Sequence, residues 1–263
     1  MVRPLTFAGT FFLLALAASP SPAANPPAPG FDAAGSDPEA IELADRVMDR
    51  MGGREAWDSA RYLTWNFFGR RRHLWDRATG RLRLEGTDRE SGEPYVVLMN
   101  LDTKDGRAWR AGAQVDDPEE LASLLDGAEA AWINDSYWLL MPYKLKDSGV
   151  TLRYLGESST EDGRAAEVLE LTFREVGRTP QNKYHVYVAR DSGLVEQWDY
   201  YADASDPEPT IRGPWSDWRP YGRILLSGDR GGREITEIAV FDQLPDALFA
   251  SPEPIDWKKL LAE

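Results

Sequence analysis

Between Tyr62 and Asp242 the chain is a succession of short runs in which apolar and polar residues alternate, and most runs end on Asp and Gly. Tyr62 to Phe68 sets Leu63, Trp65 and Phe67 against Thr64 and Asn66. A period of two puts successive side chains on opposite faces, the mark of a strand with one buried face. Similar runs cover residues 71–76, 81–86, 95–101, 106–110, 150–156, 165–174, 183–190, 194–202, 223–228 and 234–242. The turns between them, such as Asp76 to Gly80, Asp102 to Gly106, Asp191 to Gly193 and Asp229 to Gly232, are built on residues that tolerate the backbone of tight antiparallel connections. About eleven antiparallel strands in a meander are expected.

Three segments depart from that period. Asp37-Pro38 opens a helix as cap and first-turn proline, Ile41, Ala44, Val47, Met48 and Met51 keep helical spacing, and Gly52-Gly53 ends it. A second helical segment runs from Asp117 to Tyr143, with Leu121, Leu124, Leu125 and Ala128 on one side. Within it Trp132 ends one helix, Asn134-Asp135-Ser136 makes a turn or a new cap, and Tyr137 to Met141 forms a second short helix stopped by Pro142. The third, Asp203 to Tyr221, is too rich in proline for a helix or a central strand, yet its Trp215 and Trp218 argue for order.

The alternating residues include Trp65, Phe67, Trp75, Trp109, Phe173, Trp198 and Tyr200. Burying one such ring stabilises by about 2 to 3 kcal/mol, so this face must be covered. An open sheet of that many strands curls. The expected fold is mainly β (α+β): a curved antiparallel half-barrel covered on its concave face by the N-terminal helix and a mid-chain helical lid.

One basic residue, an apolar run from Phe7 to Ala18 and a small-residue stretch ending Ser21-Pro22-Ala23 read as a signal peptide over 1–23, cut after Ala23 or Ala24. The run is too short to span a bilayer. Residues 24–36, rich in Pro and Ala, are expected as a disordered leader, and 37–263 as one domain. The expected location is the periplasm, with an extracellular one as the alternative, and no integral span remains after cleavage. The chain has no cysteine, which removes disulfides, thiol nucleophiles and thiolate metal sites together. With 44 acidic against 30 basic residues the formal net charge is -14, and losing Arg3 with the signal makes it -15. No nucleic-acid partner is expected, because binding polyphosphate needs a basic stripe. The one basic run, Arg70-Arg71-Arg72, reads as a solvated hairpin end.

This element order resembles the periplasmic lipoprotein-carrier fold of the LolA and LolB proteins. Asn134-Asp135, Tyr137-Trp138-Leu139, Pro142, Lys144-Leu145, Asp147 and Gly149-Val150 resemble a pattern of an uncharacterised exported family of that fold, as does the stretch Thr172 to Tyr201 with its turn at Asp191-Ser192-Gly193. The resemblance implies a concave apolar face and overlying helices enclosing acyl chains, with Trp65, Phe67, Trp138 and Leu140 near the cavity. Together with the other apolar positions of these elements, the candidate ligand-binding set is Leu63, Trp65, Phe67, Trp75, Trp109, Trp132, Tyr137, Trp138, Leu140, Trp198 and Tyr200. The chain departs from the anchored carriers in lacking a lipidated cysteine, and from a lipoprotein shuttle in its acidity.

The expected function is an exported, monomeric binding or carrier protein for a hydrophobic small molecule or a lipid or lipoprotein acyl chain, with no cofactor, no metal and no catalysis. Only two histidines exist, His73 and His185, and no paired-histidine, phosphate-loop, dinucleotide or nucleophile-elbow motif occurs. The alternatives are an exported hydrolase using carboxylates or His185, and an envelope structural or interaction module with a filled core.

Overall fold

The computed structural model describes residues 25–262. The expected signal segment therefore lies outside the described residues. The elements in chain order are α1 (Pro38–Arg50), α2 (Arg54–Ser59), β1 (Tyr62–Phe67), β2 (Arg71–Asp76), β3 (Arg81–Thr87), β4 (Pro94–Asn100), β5 (Gly106–Arg110) and β6 (Ala113–Gln114). Then come α3 (Pro118–Leu140), a 3-10 turn (Met141–Lys144), β7 (Val150–Ser159), β8 (Ala165–Phe173), β9 (Lys183–Ala189) and β10 (Val195–Tyr201). The chain ends with β11 (Ile211–Pro214), β12 (Ser216–Tyr221), β13 (Ile224–Asp229), β14 (Ile235–Phe241), α4 (Ala247–Ala250) and α5 (Trp257–Leu260).

The fold is antiparallel and α+β, as the alternation required. Its strands form a seven-stranded sheet in the order β14-β1-β2-β3-β4-β5-β6, a five-stranded sheet in the order β11-β10-β9-β8-β7, and the pair β12-β13. The sheets do not close into a barrel. All eleven expected strands are present, and β6, β11 and β12 are additional. Strands β11 and β12 lie in the proline-rich stretch, where edge positions tolerate Pro214 and Pro220 because no ladder donor is required of them.

Helix α3 joins the two large sheets. Its first half packs Leu121, Leu124, Leu125 and Ala128 on Leu82, Leu84, Val97, Met99 and Ala108 of the seven-stranded sheet. Its last turns enter the main core, where Leu139 and Leu140 meet α1, β1 and the inward residues of β7 to β10. The other face of the seven-stranded sheet is covered by the C-terminal segment, with Phe249 on Tyr62 and Leu74. Arg83, buried there, donates to the carbonyls of Leu248, Ser251 and Glu253 and so ties that segment down.

Four local expectations change. Helix α3 is continuous from Pro118 to Leu140 with no break at Asn134-Asp135-Ser136. Short polar side chains interrupt helices when they bond the local backbone, but Asp135 is engaged by His73 and Arg71 of β2 instead. Asp117 caps α3 through Glu119 N and Glu120 N, whereas Asp37 makes no cap bond and accepts from Tyr154 N of β7 at 3.0 Å. The described part of the expected disordered leader is hydrogen-bonded to the domain: Ala28 N donates to Lys146 O, and, at β7, Asp32 N donates to Val150 O and Leu152 N to Ser36 Oγ. Of the basic run only Arg70 is exposed, since Arg71 pairs with Asp135 and Arg72 with Glu237.

Candidate functional site

A cavity of about 570 Å³ lies between the C-terminal half of α3 and the inward face of the five-stranded sheet. Its size falls in the range of roughly 300 to 1,000 Å³ usual for small-molecule sites. The sheet side is Phe173 of β8, Tyr184 of β9, Trp198 and Tyr200 of β10 and Ile211 of β11. The helix side is Trp132, Ile133, Tyr137 and Trp138. The loop between β8 and β9, residues 176–179 with Asn182, and the segment with Lys144, Asp147 and Ser148 complete the wall.

Over the seven-stranded sheet α3 packs through Leu121, Leu124, Leu125 and Ala128, with a close approach at Gly106, where a Cβ would stand 2.6 Å from Leu125 Cδ2 and 2.7 Å from Leu98 O. Over the five-stranded sheet it meets rings that brace one another. Tyr184 stacks on Trp198 at 5.4 Å and 15°, Phe173 meets Tyr184 edge-on at 5.6 Å, and Trp138 meets Trp198 edge-on at 4.6 Å. Such pairs contribute about 0.5 to 1.5 kcal/mol beyond their area, which favours keeping their geometry.

Of the candidate residues, Trp132, Tyr137, Trp138, Trp198 and Tyr200 line the cavity. Leu63, Trp65, Phe67 and Leu140 are buried in the packed core instead. Trp75 meets Trp132 edge-on at 5.0 Å, behind the cavity wall. Trp109 alternates with Ala108, which faces α3, so it points to the other side of the seven-stranded sheet, where Arg107 lies over its ring. Tyr184, Phe173 and Asn182 were missing from the candidate set. The alternation of Tyr184, Val186 and Val188 against Lys183, His185 and Tyr187 carried the signal for Tyr184.

Three residues of the wall carry polar atoms with no accessible surface, Trp132 Nε1, Tyr137 OH and Asn182 Oδ1, which are buried without a hydrogen-bond partner among the described residues. Burial holds the Tyr137 phenol well above its ordinary range, so it is neutral. The charges are matched: Lys144 pairs with Asp147, and Arg178 with Asp126 at 3.2 Å and Glu129 at 3.9 Å.

Both histidines lie elsewhere. His73 is fully buried, stacks on Trp65 at 4.4 Å, and bonds Asp135 Oδ2 through Nε2 at 2.8 Å. Arg71 forks onto the same carboxylate with two bonds of 2.7 Å. Burial lowers the affinity of His73 for a proton more than Asp135 raises it. Burial pushes the Asp135 carboxyl up, and the bonds from His73 and Arg71 bring it below the usual range. His185 sits on the outward face of β9, bonded to Glu170 at 3.1 Å and Tyr201 at 3.1 Å, with the sheet between it and the cavity. No described helix is long and apolar enough to cross a membrane.

No family model matches the chain, and no curated protein matches it. Among solved structures it is similar to a DUF1329 family protein from Desulfovibrio piger, with 16% identity, 81% of this chain and 98% of that chain covered, and a TM-score of 0.43. It is also similar to the Pseudomonas aeruginosa MucA/MucB complex, with 18% identity, 69% and 59% covered and a TM-score of 0.25, and to MucB in complex with MucA(peri), with 15%, 72%, 62% and 0.23.

Proposed function

We propose that this chain is an exported binding protein that holds an apolar small molecule or a single acyl chain between α3 and the five-stranded sheet, without catalysis. The observation that carries this is the 570 Å³ space walled by rings from three strands and one helix. Rings that brace one another form a preformed hollow, and preformed apolar hollows bind by releasing poorly bonded water at little ordering cost. The resemblance to lipoprotein carriers noted from the sequence implies the same class of ligand. The hydrolase alternative has less to work with, since His185 faces away from the cavity and the lining carboxylate, Asp147, is paired with Lys144.

The test is solvent extraction and mass spectrometry of protein purified from its own cells. An apolar molecule in near one-to-one amount is expected, absent from Tyr200→Glu, which puts a charge in the wall, and retained by His185→Ala, which alters the opposite face. Protein that carries no such molecule and takes none up from a lipid extract would contradict the proposal.

A further inference from the structure

Resting on the cavity reading above, we infer that residues 174–182 are a lid at the cavity rim, latched to α3 by Arg178, and that a guest enters and leaves when this latch opens. Position, attachment and backbone of the segment lead there together.

Nine residues join Phe173 of β8 to Lys183 of β9, where a hairpin needs only about 2 to 5. Val176, Gly177, Arg178 and Thr179 line the cavity, and the last three are also exposed to solvent. Residues that border both the space and the solvent stand at its rim. The segment leaves and rejoins the five-stranded sheet, yet Arg178 reaches Asp126 of α3 on the opposite wall. It therefore crosses the gap between the two walls.

Little holds the middle of the segment. Among the described residues, the hydrogen bonds of 175–180 are those from Arg178 to Asp126 and those from Asn182 to Thr179 within the segment itself. Glu129 stands 3.9 Å from the same guanidinium, and Val176 packs on Gly149, where a Cβ would lie 2.5 Å from Val176 Cγ1. The ends are fixed: Arg174 N donates to Gly149 O, and Ala204 N to Gln181 O. The latch is open to solvent, with 42% of the Arg178 side chain and 67% of Asp126 accessible. Exposed ion pairs hold weakly and are screened by salt, so this one closes the segment without locking it. Glu175 at φ +56° and Gly177 at φ +67° both lie in the left-handed region. Glycine takes that conformation freely and a side-chain-bearing residue does not. A few loop residues that absorb backbone rotation are what a lid hinges on, and these two lie between the fixed Arg174 and the latch.

The experiment is stopped-flow fluorescence of pyrene release from the full chain into excess cyclodextrin. It compares the wild type, Asp126→Ala, and the double variant Asp126→Cys with Arg178→Cys before and after bridging by a short bis-maleimide. The chain has no cysteine of its own, so the bridge forms only across the latch. Asp126→Ala is expected to release pyrene about 3-fold faster, which is an exposed ion pair of about 0.7 kcal/mol. Association should quicken with it, so affinity changes less than either rate. Bridging is expected to slow release at least about 10-fold relative to the unbridged double variant. In the wild type, release should quicken as salt rises from about 0.02 to 0.5 M, and in Asp126→Ala it should quicken less. Equal release from bridged and unbridged chains, or a wild-type rate that salt leaves unchanged, would overturn the lid while leaving the cavity reading standing. A wild type that binds no pyrene would remove both. The salt series needs no variant, so it decides even where a variant is poorly folded.

Discussion

Asp135 shows how one side chain settles a question that spacing leaves open. In an Asn-Asp-Ser triplet a carboxylate that bonds its own backbone starts or ends a helix; one that reaches across to β2 does neither. Here it accepts from Arg71 and His73 with no exposed surface of its own, so α3 runs through and is fixed to the seven-stranded sheet. Removing one member of a buried ion pair leaves the other uncompensated. Asp135→Ala should lower unfolding free energy by about 3 kcal/mol in urea titrations. The pH dependence has a definite sign. His73 holds its proton less tightly folded than unfolded, so the unfolded state binds more protons below the ordinary histidine range, and stability falls as pH drops through that window. Asp135, held below its ordinary range, adds a further loss at still lower pH as the unfolded carboxyl protonates. The urea midpoint should drop between pH 7 and pH 5, and His73→Gln, which cannot titrate, should flatten that part of the curve. Of the candidate site residues, Trp132, Tyr137 and Trp138 of α3 and those of β10 reached the cavity, and Leu140 and those of β1 did not. Alternation says which face a ring is on, but Trp65 and Trp198 each lie on the inward face of their own sheet, and only packing shows that one is enclosed and the other borders a space.

At the scale of elements, most of the fold was readable because most strands are long enough to alternate and close on Asp and Gly turns. The two residues of β6 are too few to show a period, and β11 and β12 contain prolines and no regular alternation. The hydrogen bonds of the described leader were hidden for a different reason. Its composition is that of an unstructured chain, but its hold on β7 runs through backbone groups and the Asp32, Ser36 and Asp37 side chains, which composition does not reveal. Helix α3 depends on a close approach at its other end. Gly106→Ala would press a methyl into Leu125 and the Leu98 carbonyl, and overpacking of this kind costs about 1 to 3 kcal/mol. Thermal unfolding should show a lower midpoint for Gly106→Ala; an unchanged midpoint would mean that α3 is not seated as described.

For the whole molecule, the division of the strands into a seven-stranded and a five-stranded sheet matters more than their number. Local pattern assigns faces to strands; it does not assign neighbours, so the break between β6 and β7, bridged by α3, lay beyond the reach of the sequence. That break allows one helix to pack on the aliphatic face of one sheet and to border, with Phe173, Tyr184, Trp198 and Tyr200 of the other, an open space. The central claim is that the resulting space takes up an apolar guest. Equilibrium dialysis of pyrene against the full chain measures this most directly. One site per chain is predicted, with a Kd on the order of 10 μM for a guest of this size, and Tyr200→Glu should weaken it at least about 10-fold while His185→Ala leaves it unchanged. No saturable binding in the wild type, or equal binding in Tyr200→Glu, would contradict the account.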